Sequence, residues 1–381
     1  MKQRLGYFSA AAAVFLMSGA AGAQITPAEG YTPPDDTPTV KVGGTIFADY
    51  TWQAEPKAVD ADGNTYHPNA FNVTRAYINV TGSISHLISF RITPDVVRTG
   101  PVNVSGTPVD VPGITGTLTY RLKYAYGQLN LDDLAHTDVR AMAQWQGTWF
   151  RLGMQQTPYI DFEENIYRYR FAGTVFVDRE GFLSSSDLGF SFHWNAPENY
   201  GDMHIGAYNG EGYTRPEVND QKAFMIRATL RPVPQIAALR GLRLTAFYDS
   251  DHYVRDAKRE RLIGFISYES PWVNFGGQYV KAKDQTSVTK ALVEAEGWSV
   301  WATPRIPNCG IEALIRWDRL APNNDLAPRR QRLIAGPAYW FPVQKGVAAA
   351  VMLKFEQLRY MGAPNQKPTE ESYGLFTLFN F

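Results

Sequence analysis

The sequence ends in Tyr373-Gly374-Leu375-Phe376-Thr377-Leu378-Phe379-Asn380-Phe381, a stretch in which side chains of different character alternate. Counting back from the final residue, one face of this stretch holds Phe381, Phe379, Thr377, Leu375 and Tyr373. Such alternation predicts a β-strand, because successive side chains of a strand point to opposite faces. The end of the sequence is therefore predicted to be a strand with a strongly apolar face.

The same alternation recurs along the chain from Val40 onward. Ile46, Ala48, Tyr50 and Trp52, for example, share one face of a segment whose other face is mostly polar. Turn residues separate the runs, as expected for antiparallel hairpins. About sixteen such runs begin near residues 42, 72, 86, 118, 147, 188, 202, 222, 241, 260, 272, 297, 310, 331, 346 and 372.

The connections between these runs differ systematically in length. Connections predicted to lie on one side are long, such as Gln156–Asp187 and Ser250–Lys258, whereas most on the other side are short, such as Gly82–Ser85 and Ser270–Pro271. Long outer loops and short periplasmic turns are typical of outer-membrane barrels. The sequence therefore predicts an all-β fold, a closed antiparallel transmembrane β-barrel of about sixteen strands over residues 40–381.

The N-terminal segment has the pattern of a secretory signal peptide. Lys2 and Arg4 precede an apolar run, Phe8–Met17, and Ala21-Gly22-Ala23 supplies a small-residue cleavage site. This order of charge, apolar core and small residues predicts cleavage after residue 23 and export from the cytoplasm. An uncleaved anchor is the alternative. Residues 24–39, rich in proline and polar residues, are predicted to be a flexible lead.

Composition excludes several classes of function. Basic and acidic residues are equal in number, 37 of each, so the excess of basic charge that a nucleic-acid partner requires is absent. Cys309 is the single cysteine, which excludes an intrachain disulfide, although an intermolecular bond stays possible. No common catalytic, phosphate-binding or metalloprotease motif occurs, and we expect neither an enzyme nor a cofactor or metal site.

Central motifs give the sequence a family resemblance. Phe150-Arg151-Leu152-Gly153-Met154-Gln155-Gln156-Thr157-Pro158 is a predicted strand that runs into a proline-started loop, and Val177–Phe182 and Ser186–Gly189 end that loop. Together with Asn209–Gly212, these segments resemble the phosphate-selective porin superfamily and general porins of Gram-negative bacteria. The resemblance implies a homotrimeric, water-filled channel of sixteen strands. Lysines are scarce before Lys281 and Lys283, so phosphate specificity is not implied.

The C-terminal strand adds a second resemblance. An aromatic residue at the end of an alternating strand, here Phe381, resembles the signature that the barrel-assembly machinery recognises in outer-membrane proteins. It implies an outer-membrane location, reached by export through the periplasm, with membrane lipid and lipopolysaccharide as neighbours.

Polar positions of the predicted strands should face the lumen, because a basic residue at mid-bilayer costs about 2–4 kcal/mol on the lipid side. The predicted lumen-facing positions hold ten basic and six acidic residues, which favours the passage of anions. The alternative is that the arginines pair with carboxylates across strands and stiffen the wall. The acidic residues are Asp49, Asp95, Asp249, Glu312, Asp318 and Glu356. The basic ones are Arg75, Arg91, Arg121, Arg151, Arg227, Arg243, Arg261, Arg316, Arg332 and Lys354.

The connection at 156–187 is the predicted constriction. It is too long for an ordinary connection and is therefore expected to be functional. Folded into the pore, its charges would select ions by sign; the alternative is a lid whose aromatic residues pack on the outer rim. Its charged candidates are Asp161, Glu163, Glu164, Arg168, Arg170 and Arg179.

Two functional hypotheses follow from the sequence. The first is a porin through which small hydrophilic solutes or ions diffuse passively, with a lean to anions. The second is a barrel sleeve or scaffold that houses a periplasmic or electron-transfer partner. An outer-membrane hydrolase is a third class, but no Ser or Asp is obviously paired with His at the predicted outer rim.

Overall fold

The computed structural model describes residues 36–100, 102–104, 107–109, 115–131, 147–342, 347–362 and 367–381. The predicted signal peptide at 1–23 and most of the predicted lead at 24–39 lie outside the described residues. Within the described part of the chain, no helix is long and apolar enough to cross a membrane.

The described residues form a closed barrel of sixteen antiparallel strands, numbered here in chain order together with two small hairpins. The sixteen predicted strands are confirmed, most of them within a few residues of their predicted starts. The hairpins are β2 (Ala58–Val59) with β3 (Thr65–Tyr66) and β6 (Val102–Val104) with β7 (Thr107–Val109). The barrel strands are β1 (Thr39–Glu55), β4 (Asn69–Ser83), β5 (Ile88–Arg98), β8 (Leu118–Asn130), β9 (Trp149–Gln156), β10 (Ser186–Asn195), β11 (Gly201–Tyr208), β12 (Ala223–Leu230), β13 (Arg243–Val254), β14 (Ala257–Glu269), β15 (Val273–Asp284), β16 (Val293–Pro304), β17 (Ile311–Ala321), β18 (Arg329–Trp340), β19 (Ala348–Met361) and β20 (Glu370–Asn380).

The C-terminal strand closes the barrel on the N-terminal one. β20 pairs with β19 on one side and with β1 on the other, where Phe379 lies opposite Ile46 and Leu375 opposite Tyr50. Every barrel strand therefore has two hydrogen-bonded neighbours. A closed sheet has no free edge, which is the condition for strands to satisfy their backbone groups in a bilayer.

The two faces of the strands differ as the alternation predicts. In β14 the side chain of Arg261 is 1% exposed and points into the barrel, whereas its neighbour Leu262 is 53% exposed on the outside. Buried charged residues are thus found on the inner face, and exposed apolar residues cover the outer face, as in outer-membrane barrels.

One predicted loop is wrong. Residues 250–258 were expected to connect two strands, yet β13 continues to Val254 and β14 begins at Ala257, so only Arg255 and Asp256 form the turn. Asp256 adopts a left-handed conformation with φ of 64°, which a tight turn requires. The polar composition that suggested a loop belongs instead to the outer end of a long hairpin.

The connection between β9 and β10 contains the helical structure that bears on function. Helix α1 spans Ile160–Tyr167, a 3₁₀ turn spans Arg170–Ala172, and helix α2 spans Phe176–Arg179. We call residues 157–185 the constriction loop.

Candidate functional site

The constriction loop lies inside the barrel and packs its aromatic side chains against the inner wall. Tyr159, Tyr167 and Tyr169 are fully buried. The ring of Tyr167 lies 5.2 Å from that of Trp301 in β16, and Tyr169 lies 5.7 Å from Trp340 in β18. Aromatic contacts of this kind stabilise beyond simple burial, so the loop is a packed part of the lumen and not a lid on the outer rim.

Four cations of the wall hold the loop by its backbone. Arg227 Nε donates to the carbonyl of Pro158 at 2.8 Å, and Arg261 Nε donates to the carbonyl of Phe182 at 3.0 Å. Arg316 Nη1 donates to the carbonyl of Thr174 at 2.7 Å, and Lys354 Nζ donates to the carbonyl of Ala172 at 3.0 Å. These side chains were predicted to line the pore. The structure places them beneath the loop, at most 9% exposed, where they serve as loop anchors.

Each loop anchor also contacts a carboxylate of the wall. Arg316 makes two hydrogen bonds to Asp318, at 2.8 and 2.7 Å, and Arg261 Nη2 lies 2.6 Å from Asp284. Arg227 pairs with Asp202, and Lys354 with Glu356. Buried ions need such partners because their desolvation is costly. The pairing means that the wall under the loop carries little net charge. The four loop anchors lie on separate strands of the wall, given after each: Arg227 (β12), Arg261 (β14), Arg316 (β17) and Lys354 (β19).

The loop contributes ion pairs of its own. Arg168 lies 3.1 Å from Glu312 of β17 and stacks over the ring of Trp340 at 4.2 Å. Arg170 lies 2.6 Å from Glu164, a residue of α1. These pairs fix the turn that follows α1, where Arg168 adopts a left-handed φ of 65°.

Glu163 is the most deeply buried carboxyl of the loop. It accepts a hydrogen bond from Gln278 Nε2, and the same Gln278 accepts one from the hydroxyl of Tyr159. Burial raises the pKa of Glu163 to about 8, against the opposing attraction of Arg316. At neutral pH this carboxyl is therefore mainly protonated and pins α1 to β15 as a neutral group.

Four further predicted candidates are Arg243, Arg332, Arg179 and Asp161. Arg243 pairs with Glu269 of the neighbouring strand, and Arg332 pairs with Glu356, the carboxylate that also pairs with Lys354. Arg179 is buried in the loop, where burial lowers the pKa of its guanidinium. Asp161 lies on the exposed side of α1 near Asn165.

The wall formed by β4, β5, β8 and β9 has a different charge balance. Arg75 lies 2.8 Å and Arg121 3.7 Å from the buried carboxylate of Asp95, so two cations share one anion. Arg121 also donates a hydrogen bond to the hydroxyl of Tyr213, a residue of an outer loop. This sharing leaves a net positive charge on the wall.

Three further cations of this wall contact aromatic rings and polar groups in place of carboxylates. The guanidinium of Arg151 lies 3.7 Å from the ring centroid of Trp149, and that of Arg91 lies 4.5 Å from the ring of Tyr124. Lys123 Nζ donates to the hydroxyl of Tyr77 at 3.1 Å. Within the described residues, none of the three forms an ion pair. We call these five basic residues, with their one carboxylate Asp95, the basic wall: Arg75, Arg91, Arg121, Lys123 and Arg151.

A cavity of about 490 Å³ lies between the constriction loop and this wall. Its lining includes Arg75 and Arg121 of the basic wall, Arg170 of the loop, Lys354 of β19, and one carboxylate, Asp49 of β1. A volume of this size suits a small solute. The arrangement can therefore attract a small anion and hold it between cations and polar groups.

Sequence reasoning missed some residues of the site. Lys123 shares a strand face with Arg121, two positions away, and that spacing was the signal for its inward orientation. Trp301 and Trp340 contact the loop inside the barrel, although tryptophans of barrel strands commonly lie at the membrane interface. His193 and His204 lie opposite each other across the β10–β11 pair. No group of three metal-ligating residues was found in the described part of the chain.

No protein-family model matches the chain, and no curated protein matches its sequence. Solved structures do match its fold. The anion-selective porin of Comamonas acidovorans is 10% identical with a TM-score of 0.56, and the match covers 91% of this chain and 100% of that one. The outer-membrane channel DcaP of Acinetobacter baumannii is 12% identical with a TM-score of 0.56, over 90% and 97% of the two chains. The outer-membrane protein OmpT of Vibrio cholerae is 11% identical with a TM-score of 0.55, over 91% and 99%. This likeness concerns the fold, and by its fold the chain is a closed, sixteen-stranded antiparallel β-barrel of the outer-membrane type.

Proposed function

We propose that this protein is an outer-membrane porin through which small hydrophilic solutes diffuse passively, with a preference for anions. The observation that carries the proposal is the charge asymmetry across the lumen. The constriction loop is held against β12–β19 by cations whose charges are compensated, for example Arg316 by Asp318. The basic wall opposite has four arginines and one fully buried lysine, Lys123, for one buried carboxylate, Asp95.

This charge asymmetry should favour anions over cations. Uncompensated positive charge in a low-dielectric cleft raises the local concentration of anions and repels cations. Because Arg91, Arg121 and Arg151 are guanidinium groups, they keep their charge throughout the physiological pH range. A permeating anion therefore gains favourable interactions along one side of the narrowest section. The anion-selective porin of Comamonas acidovorans shares this fold, which agrees with the proposal.

The competing role as a sleeve for a protein partner has less support. A sleeve needs a lumen wide enough for a folded domain or a protein segment. Here Tyr159 and Tyr167 of the loop are fully buried against the wall, and the cavity beside the loop measures about 490 Å³. That space admits a small molecule but not a protein segment.

The proposal extends to location and assembly. Removal of the signal peptide at 1–23, passage through the periplasm, recognition of the strand ending in Phe381 by the assembly machinery, and a homotrimer all belong to this hypothesis. Phosphate specificity does not, because the basic wall is built mainly of arginines and has one lysine, Lys123, in place of a lysine cluster.

The experiment that tests the function is a planar-bilayer recording of the refolded protein. We expect stable conductance steps whose reversal potential in a KCl gradient lies on the chloride side. Purified, folded barrel that opens no channels would contradict the proposal and favour the sleeve.

A further inference from the structure

The outer surface of β17–β19 carries two exposed arginines near the outer ends of the strands. Arg319 and Arg359 both point away from the lumen. The register places Gln331 between them, opposite Arg319 on one side and opposite Arg359 on the other. Neither arginine forms an ion pair with any described residue, so two exposed guanidinium groups flank one amide.

Aromatic residues mark the depth of this row. Trp298 of β16 lies directly opposite Arg319, and its ring contacts that of Trp317 at 5.2 Å. Trp317 is 46% exposed on the outer face. Tryptophans concentrate at the level of lipid headgroups in membrane proteins. The Arg319–Gln331–Arg359 row therefore lies at headgroup height, on the side of the outer loops.

The surface changes character immediately below the row. Trp317, Leu333 and Gln357 form the next cross-strand row toward the barrel middle, and Ile315, Ala335 and Phe355 form the one after it. A shallow groove of about 350 Å³ lies here, lined by the apolar residues Ile315, Trp317 and Leu333 and by the polar residues Gln331, Arg332, Gln357 and Arg359. Glu371 on β20 accepts a hydrogen bond from the Gln357 amide, at 2.5 Å. The face thus combines arginines at headgroup height with a groove that has apolar residues on its floor and one carboxylate, Glu371, beside it.

The lysines at the outer end of β15 are, by contrast, neutralised. On β15, Lys281 and Lys283 also point outward, but the register places Glu296 and Glu294 of β16 directly opposite them. Lys283 Nζ also lies 3.8 Å from Glu260 of β14. The unpaired arginines of β17–β19 therefore differ from the paired lysines of β15.

We propose that this face binds the phosphorylated headgroup of an outer-leaflet glycolipid, lipid A, with Arg319 and Arg359 on a phosphate and the acyl chains along Trp317 and Leu333. Arginine forks match phosphate oxygens in paired hydrogen bonds, and acyl chains fit an apolar groove. The inference rests on the outer-membrane location proposed above, but not on channel activity.

Charge decides between a lipid and a second copy of the chain as the occupant. A second copy would have to place carboxylates opposite Arg319 and Arg359 and to cover Trp317 with apolar surface. A phosphorylated glycolipid brings both the anionic group and the apolar chains in one molecule. The glycolipid therefore fits the surface with no further partner.

The test measures binding of lipid A to the full-length protein folded in detergent, by native mass spectrometry and by titration. The variant is Arg319→Gln with Arg359→Gln, and the matched control is Lys281→Gln with Lys283→Gln. Each basic residue near an anionic lipid surface contributes about 1 kcal/mol, so the arginine variant should bind roughly thirtyfold more weakly. The lysine variant should stay within about threefold of wild type.

Three outcomes would overturn the inference. Wild-type protein could bind dephosphorylated lipid A as tightly as lipid A, or the lysine variant could lose as much affinity as the arginine variant. As a third outcome, the arginine variant could change the oligomeric state, measured by size-exclusion chromatography with light scattering, while its lipid binding stayed the same. That result would assign the face to a protein contact. Bilayer recordings of the same samples report channel activity separately, so failure of the porin proposal would be distinguishable.

Discussion

The aromatic ring of Phe381 lies over Gly44, the residue of β1 that it pairs with. Gly44 N donates to the carbonyl of Phe381 at 2.8 Å, and Phe381 N donates to the carbonyl of Gly44 at 3.0 Å. A Cβ atom at position 44 would come within 2.5 Å of the phenyl ring. The closure of the barrel therefore depends on a glycine at one end of the chain and a phenylalanine at the other.

Replacement of Gly44 by valine should destabilise the barrel. The ring of Phe381 would have to swing away from β1, and because this side chain is already 63% exposed we expect a loss of about 1 kcal/mol. The urea midpoint of unfolding in detergent measures the loss. The matched control is Gly264→Val on β14, where an added Cβ meets no atom within 4 Å. Equal midpoints for the two variants would show that the Phe381–Gly44 contact contributes nothing to closure.

Removal of the Arg316 anchor should loosen the constriction loop. Arg316→Met deletes the donor to the carbonyl of Thr174 and leaves Asp318 buried with no partner. Breaking a buried pair from one side typically costs about 3–5 kcal/mol. We expect larger and noisier single-channel conductance, and faster cleavage of the loop by added protease.

A paired variant separates this effect from general unfolding. Arg316→Met combined with Asp318→Leu removes both buried charges, so most of the loss of stability should be recovered. The bond to Thr174 is still missing in the double variant, and its conductance should therefore stay above that of wild type. Conductance equal to wild type in the double variant would contradict the anchoring role of Arg316.

The buried carboxyl of Glu163 should make stability depend on pH. Its pKa is raised from 4.5 to about 8 in the folded protein, mainly by burial. Between these two values the unfolded chain is ionised while the folded one keeps the proton, so the unfolded state binds fewer protons. The free energy of unfolding therefore falls as pH rises through this window. The stabilisation that the protonated Glu163 contributes is fully present only below the ordinary pKa of 4.5.

Glu163→Gln tests that dependence, because glutamine has nearly the shape of the protonated carboxyl but does not ionise. Unfolding measured from about pH 5 to about pH 9 should show a smaller decline for this variant than for wild type. Asp325→Asn, at an exposed acidic residue of an outer loop, serves as the control and should keep the wild-type slope. A Glu163→Gln slope identical to wild type would mean that the carboxyl ionises normally in the folded protein.

Most of the fold could be predicted from the sequence because period-two alternation is a local property. In the runs that contain Ile46 or Phe379, the alternation of residue types identifies the two faces of the strand, and these strands are present in the structure. The β13–β14 turn was missed for the same reason. Polar residues such as Asp251 and Glu260 are typical of a loop in the sequence, but in the structure they belong to the paired strands of the hairpin.

The candidate site was harder to predict because it depends on where the loop lies. Alternation places Arg261, Arg316 and Arg151 on the inner face alike, but it does not reveal which of them the loop covers. Arg261 and Arg316 donate to loop carbonyls, whereas Arg151 stacks on Trp149 and Tyr126. Loop contacts between residues more than a hundred positions apart, such as Tyr167 with Trp301, leave no local pattern in the sequence.

Variants of the basic wall should change ion selectivity in proportion to charge. Replacement of Arg91, Arg121 and Arg151 by glutamine removes three of the four guanidinium groups of this wall and should lower the chloride-to-potassium permeability ratio. The same three positions changed to lysine keep the charge and should keep most of that ratio. If the glutamine and lysine variants behave alike, selectivity does not arise from the charge of this wall.

The reversal potential of wild-type single channels in a KCl gradient tests the central claim most directly. The charge asymmetry between the basic wall and the constriction loop predicts a potential on the chloride side, which moves toward zero as salt increases because exposed charge is screened. A reversal potential on the potassium side would contradict the account.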